Sequence, residues 1–181
     1  MSAIDPLTIW EITVRTLQVC GSALVLALLI GVPIGIALGG RRFAGRGLVV
    51  STVNAGMGAP PVVVGLSVAL LLWRSGPLGG LGWMYSGQAM ILAQVLIALP
   101  LVVGITLAAV GSLDEEWDLQ VRALGVPWRW RIWLLLREIR MGLIAAVIAA
   151  LGGILSEVGA VQMVGGNLEG ETRVLTTAIL M

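Results

Sequence analysis

Residues 165–172, Gly-Gly-Asn-Leu-Glu-Gly-Glu-Thr, carry the spacing of a phosphate-gripping loop, Gly-x-x-x-x-Gly-Lys-[Ser/Thr]. Glu171 stands where the lysine belongs and would repel a triphosphate, so the chain carries no phosphate-gripping loop of its own. The rest of the catalytic inventory is sparse. The chain has no histidine and one cysteine, Cys20, and Glu157 is the one acid at clear membrane depth. That leaves neither a metal-ligand set nor a nucleophile with its base, which argues against an intramembrane enzyme. Glu157 still demands a role, because a carboxylate inside an apolar span is costly. The other concentration of polar chemistry is arginine. Arg122, Arg129, Arg131, Arg137 and Arg140 crowd into residues 112–140 between two long apolar segments, in the manner of a docking handle on a membrane protein.

The elements around these residues are apolar helices. Of 181 residues, 58% are hydrophobic and 12% charged, and the mean hydropathy is +1.01. A soluble domain of this size would need more polar surface, whereas a bilayer solvates apolar side chains from outside. The fold class is therefore all-α integral membrane. Spans of about 20 residues are expected at 17–38, 48–73, 88–110 and 141–164, with a fifth at 174–181 that is incomplete where the sequence stops, as in a fragment. One transmembrane domain thus covers residues 1–181. Orientation follows from arginine, since lysine is absent: Arg41, Arg42 and Arg46 in the first loop and the five of the insert make eight of the eleven. Those two loops should be cytoplasmic and the N-terminus outside. Two acids and no basic stretch precede the first apolar run, so it should stay in the membrane as a span. Cys20 falls inside it and reads as a small core side chain.

Breakers divide the spans. Pro33 should bend the first, and Gly56, Gly58, Pro60 and Pro61 should split the second. A broken helix is tolerated in a membrane only against protein or water. Residues 51–61 therefore either line a pathway or pack another helix through small residues. In the insert, Ser112 and Glu115 fit a capping box, and Leu113, Trp117, Val121 and Leu124 recur at helical spacing. Asp118 and Arg122 form an acid-before-base pair four apart, Gly125 is placed to stop this helix, and Pro127 to start another that mixes tryptophan and arginine as interfacial helices do.

A helix, Arg122-Ala-Leu-Gly125, and about a dozen residues before the next span resemble the coupling loop of ABC transporter permeases. The family's Glu-Ala-Ala is replaced by Leu119-Gln120-Val121, and its closing Leu-Pro by Arg137-Glu138. A second segment narrows the resemblance. Glu157-Val-Gly-Ala-Val-Gln-Met-Val-Gly-Gly-Asn167, followed by Thr172-Arg-Val-Leu-Thr-Thr-Ala-Ile179, is similar to the tungstate-type branch of the oxyanion permeases. The likeness covers essentially the whole chain.

The resemblance implies a polytopic bundle of the type I ABC importer permease (MetI-like) class, with about five transmembrane helices. It implies a multi-pass protein of a bacterial or archaeal inner membrane, working as a homodimer with two ATPase subunits that bind ATP and Mg and with an extracytoplasmic binding protein. No cofactor of the chain itself and no nucleic-acid partner are implied. Tungstate is the first substrate expected, with molybdate and sulfate as alternatives; a passive channel or structural subunit fits the spans but not the insert. On this resemblance, Trp117, Gln120, Val121, Arg122, Ala123, Leu124 and Gly125 couple to the ATPase, and Glu157, Gly159, Gly165 and Gly166 form the family signature. Glu157, roughly 24 Å above Met141 at 1.5 Å per residue, would repel a dianion. A structural role is preferred for it, accepting hydrogen bonds and holding the Gly-Gly-Asn end of the helix. Neutral donors at Ser51, Thr52, Asn54 and Asn167 are the candidates for passing the anion along.

Overall fold

A computed structural model describes residues 6–41 and 43–179, in which the side chains of Pro6, Leu7, Glu115 and Arg122 are also outside the description. Arg42 and Met181 therefore lie outside the described residues. Within them the regular elements are helices: α1 (Pro6–Gly40), α2 (Arg46–Met57), α3 (Pro61–Leu72), a 3-10 turn (Gly79–Leu81), α4 (Gly87–Gly111), α5 (Glu115–Ala123), α6 (Trp128–Glu138), α7 (Arg140–Ser156), α8 (Gly159–Gly165) and α9 (Leu175–Ala178).

Two helices, Thr8–Gly40 and Gly87–Gly111, are long and apolar enough to cross a membrane, and two bent pairs bring the number to four if each pair is one span. α1 has 35 residues and continues through Pro33, where the sequence suggests a bend. The expected span at 48–73 is instead two 12-residue helices, α2 and α3, set at 103°. Its cause is local. Gly58 closes α2, with the Gly58 N–H donating to the Ala55 carbonyl and the Ala59 N–H to the Gly56 carbonyl, Pro60 is extended (φ −62°, ψ 124°), and Pro61 opens α3. The expected span at 141–164 is likewise divided. α7 ends at Ser156, α8 begins at Gly159, and α6 meets α7 at 65°.

The bundle is organised around α4, which packs against α1, α2, α3, α7 and α8. Close approach is achieved with small residues, as in other membrane helix pairs. Along α1, Ala23 and Ala27 are fully buried, and Gly31, Gly35 and Gly39 continue the same four-residue spacing against Val102, Thr106 and Val110 of α4. Gly56 abuts Pro100 and Gly142 abuts Ala109, while Gly65 of α3 abuts Ala160 of α8. Cys20 is buried in this core beside Gln94. Large apolar side chains such as Leu17, Leu29, Leu70 and Ile148 face outward at more than half exposure, which suits lipid contact and not water.

Candidate functional site: an exposed insert and a tethered broken helix

The insert stands at one end of the bundle. A cleft of about 850 Å³ is lined there by Gly39 and Arg41 at the end of α1, Arg46 of α2, Val110 of α4, Trp117 and Asp118 of α5 and Arg131 of α6. Arg46 Nε donates to the Leu38 carbonyl at 2.7 Å, satisfying one of the carbonyls near the end of α1.

The capping box expected at Ser112 is not formed by that residue. Ser112 closes α4 as its C-cap and donates its hydroxyl to the Ala109 carbonyl, and α5 starts at Glu115 after Asp114. The expected apolar stripe is also cut short. Val121 is buried and Leu113 and Trp117 half-buried, but α5 ends at Ala123 and Leu124 is 79% exposed. Once the helix stops, the 3.6-residue period no longer aims the next side chain inward.

The candidate coupling residues therefore divide. Trp117 and Val121 anchor α5 on the bundle, whereas Gln120, Ala123, Leu124 and Gly125 face outward, joined by Leu119, which sequence reasoning did not select. The Arg122 side chain, and with it the Asp118–Arg122 pair, lies outside the described residues. Asp118 accepts from Arg131 Nη2 at 2.9 Å, which ties α5 to α6 across the turn. That turn depends on Gly125 at φ +65°, a left-handed conformation that only glycine adopts at little cost. α6 has no buried residue, and the Arg129 and Arg137 guanidinium groups sit over the Trp128 and Trp133 rings at 5.8 and 5.5 Å. Stacking of this kind keeps both cations beside apolar rings at an interface.

The signature segment lies further along the chain. Glu157 is half-buried, and its Oε1 accepts from the Ala160 N–H at 2.8 Å. It therefore holds the start of α8, not the Gly-Gly-Asn end. That end is held by others: Thr172 Oγ1 accepts from the Leu168 N–H and donates to the Gly165 carbonyl, and Asn167 Nδ2 donates to the Thr177 carbonyl at 3.3 Å. The glycines have separate reasons. A Cβ at Gly159 would meet Val62 at 2.9 Å, one at Gly165 would meet Met90 at 2.9 Å, and Gly166 takes φ +72° against the Tyr85 ring. Replacing Glu157 with alanine is expected to lower stability by about 1 kcal/mol, the cost of losing a side-chain helix cap. Glu157→Gln keeps an acceptor oxygen and should be near neutral. Thermal unfolding of both variants in detergent checks this, and equal losses would show that the negative charge matters more than the hydrogen bond.

Ser51, Thr52 and Asn54 are exposed on α2, a helix with no buried residue. Thr52 spends its hydroxyl on the Leu48 carbonyl at 3.0 Å. The structure does not bring Asn167 to them. Gly165 lies against Met90 near the start of α4, and Gly56 against Pro100, which is roughly 15 Å farther along that helix.

Residues 31–181 match the family described as the binding-protein-dependent transport system inner membrane component. A probable anion ABC transporter permease protein of Haloferax volcanii is 43% identical over 174 residues, covering 93% of this chain and 75% of that protein. The tungstate uptake system permease protein of Peptoclostridium acidaminophilum is 36% identical, covering 98% of this chain and 77% of that protein. The molybdenum transport system permease protein of Escherichia coli is 27% identical, covering 94% and 78%. With its apolar helices interrupted by one exposed insert, this chain belongs to the binding-protein-dependent transport system inner membrane components, the integral membrane permeases of ABC transporters.

Proposed function

We propose that this permease carries a tetrahedral oxyanion, tungstate first among them, across the membrane in a complex with two ATPase subunits, an extracytoplasmic binding protein and a second copy of itself. The carrying observation is the ranking of similarity, with 36% identity to a tungstate permease over 98% of this chain against 27% to a molybdenum permease over 94%. ATP and Mg are bound by the ATPase subunits. The N-terminus faces outward, and the insert faces the cytoplasm with the arginine-rich loops.

In this reading, closure of the ATPase pair pushes on the outward face of α5 at Gln120, Ala123, Leu124 and Gly125. Trp117 and Val121 transmit the push to the bundle because they are packed against it, and α4 and α7, which contact each other, open the outer side by alternating access. Arg122 belongs to the same coupling helix. Ser51 and Asn54 on the exposed face of α2 offer neutral donors that can pass an anion without trapping it, while Thr52 contributes mainly to the helix and Asn167 to the loop. Glu157, Gly159, Gly165 and Gly166 keep the broken helix in place.

Uptake of tungstate with molybdate and sulfate as competitors, in cells supplying the ATPase and the binding protein, tests the proposal. ATP-dependent tungstate uptake, inhibited by molybdate more than by sulfate, is expected. Inhibition by sulfate equal to that by unlabelled tungstate would overturn the substrate, and uptake unaffected by ATP depletion would overturn the importer.

A further inference from the structure

Three arginines lie outside the insert and the first loop, and two of them, Arg15 and Arg173, converge on one loop. Arg15 Nη2 donates to the Gly170 carbonyl at 2.6 Å, and its Nη1 is 3.5 Å from the Arg173 carbonyl. The Leu175 N–H donates to Thr16 Oγ1 at 2.9 Å, fixing the same loop to the next residue of α1. The cluster is at the end of the bundle opposite the insert, since Arg15 precedes Gly40 on α1 by 25 positions, about 37 Å of helix.

Arg173 is unusual within it. Its side chain is only 12% exposed, and its buried Nε has no hydrogen-bond partner among the described residues. Its ionic partner is Glu169, whose Oε2 is 3.4 Å from Nη1, a long contact to a carboxylate that is itself 79% exposed. A guanidinium is always charged and presents its N–H groups in a flat fork that matches two oxygens of one anion. Here the charge is nearly withdrawn from water, one donor is unspent, and the counter-ion is an exposed surface group. Such a pair contributes little to stability, so exchanging it for another anion is easy. Glu171, exposed on the same loop, balances Arg15 and Arg173 together with Glu169. The resulting local neutrality keeps binding weak, and a transported ion must be able to leave.

We infer that Arg173 is a contact for the tetrahedral oxyanion at the outer end of the permease, with Glu169 as the counter-ion that the substrate displaces. The dianion takes the place of the Glu169 carboxylate at Nη1. Arg15 positions the loop through its backbone and need not touch the ion. This inference rests on the importer reading above.

The two readings of Arg173 differ in sign. As a substrate contact, Arg173→Gln lowers the apparent kcat/KM for tungstate uptake by about tenfold, the value of one charge-assisted hydrogen bond. Glu169→Gln removes the competitor and raises it, and Arg173→Lys recovers part of the loss. As a mere clamp on the loop, Arg173→Gln and Glu169→Gln break the same ion pair and lower transport alike. Initial rates are measured on the permease with its ATPase and tungstate-loaded binding protein, below saturation. Glu169→Gln decides the matter even if Arg173→Gln does not fold: a rise supports the inference, while a fall or no change overturns it. Failure of the wild-type complex to take up any oxyanion sinks the importer reading itself, whereas normal wild-type uptake with parallel or silent variants sinks only the role of Arg173.

Discussion

Gly125→Pro is expected to reduce ATP-dependent uptake to background and to abolish co-purification of the ATPase, with the membrane bundle still folded. The reason is conformational and not steric. Gly125 adopts φ +65°, and a Cβ placed there meets nothing within 4 Å. Proline is locked near φ −65° and cannot make this turn, so α6 would leave α5 in a different direction. The outward group formed by Leu119, Gln120, Ala123 and Leu124 would then no longer be presented in one piece with Trp128. Gly125→Ala fits in space and must bear only the left-handed strain of about 1–2 kcal/mol, so it should keep part of the coupling. The bundle is insulated because, among the described residues, α5 and α6 contribute just one buried side chain to it, Val121. A Gly125→Pro variant that binds the ATPase and transports normally would remove the insert from the docking role.

Gly35→Leu is expected to damage the fold itself. α1 and α4 meet through a ridge of small residues, and a Cβ at Gly35 would lie 2.6 Å from Thr106 Cβ and 2.9 Å from the Val103 carbonyl oxygen. A backbone carbonyl cannot step aside as a flexible side chain can. The two longest helices would have to part, at a cost of about 3 kcal/mol or more, the upper range for overpacking a core. Gly21, on the same helix, provides the control because nothing lies within 4 Å of its Cβ. There, Gly21→Ala should stabilise by about 0.5–1 kcal/mol, the ordinary gain of alanine over glycine in a helix. Thermal unfolding in detergent micelles should therefore move in opposite directions for the two variants. Loss of stability in both would mean that α1 packs against α4 in a different register.

Much of the architecture was readable because it rests on local chemistry. Gly58, Pro60 and Pro61, gathered within four residues, break the helix where the single Pro33 does not, and the sequence places that break where α2 ends and α3 begins. The insert was equally plain, since a run of arginine and tryptophan contrasts with the apolar segments on both sides. Ser112 shows where local reading fails. A serine between two helices can cap the second or close the first, and the choice depends on how far α4 continues. Leu124 fails for a related reason, because a periodicity argument extends one residue past the end of α5.

Hydropathy, arginine placement and helix-breaking residues, all properties of short stretches of chain, were enough to specify an all-helical membrane protein with one exposed insert. Contacts between distant residues were not available from them. The separation of Asn167 from Ser51 and Asn54, and the meeting of Arg15 with a loop 155 positions away, arise from tertiary packing. Small residues let the helices approach, and burial then selects which polar groups are partnered and which, like Arg173 Nε, are left with a bond to make.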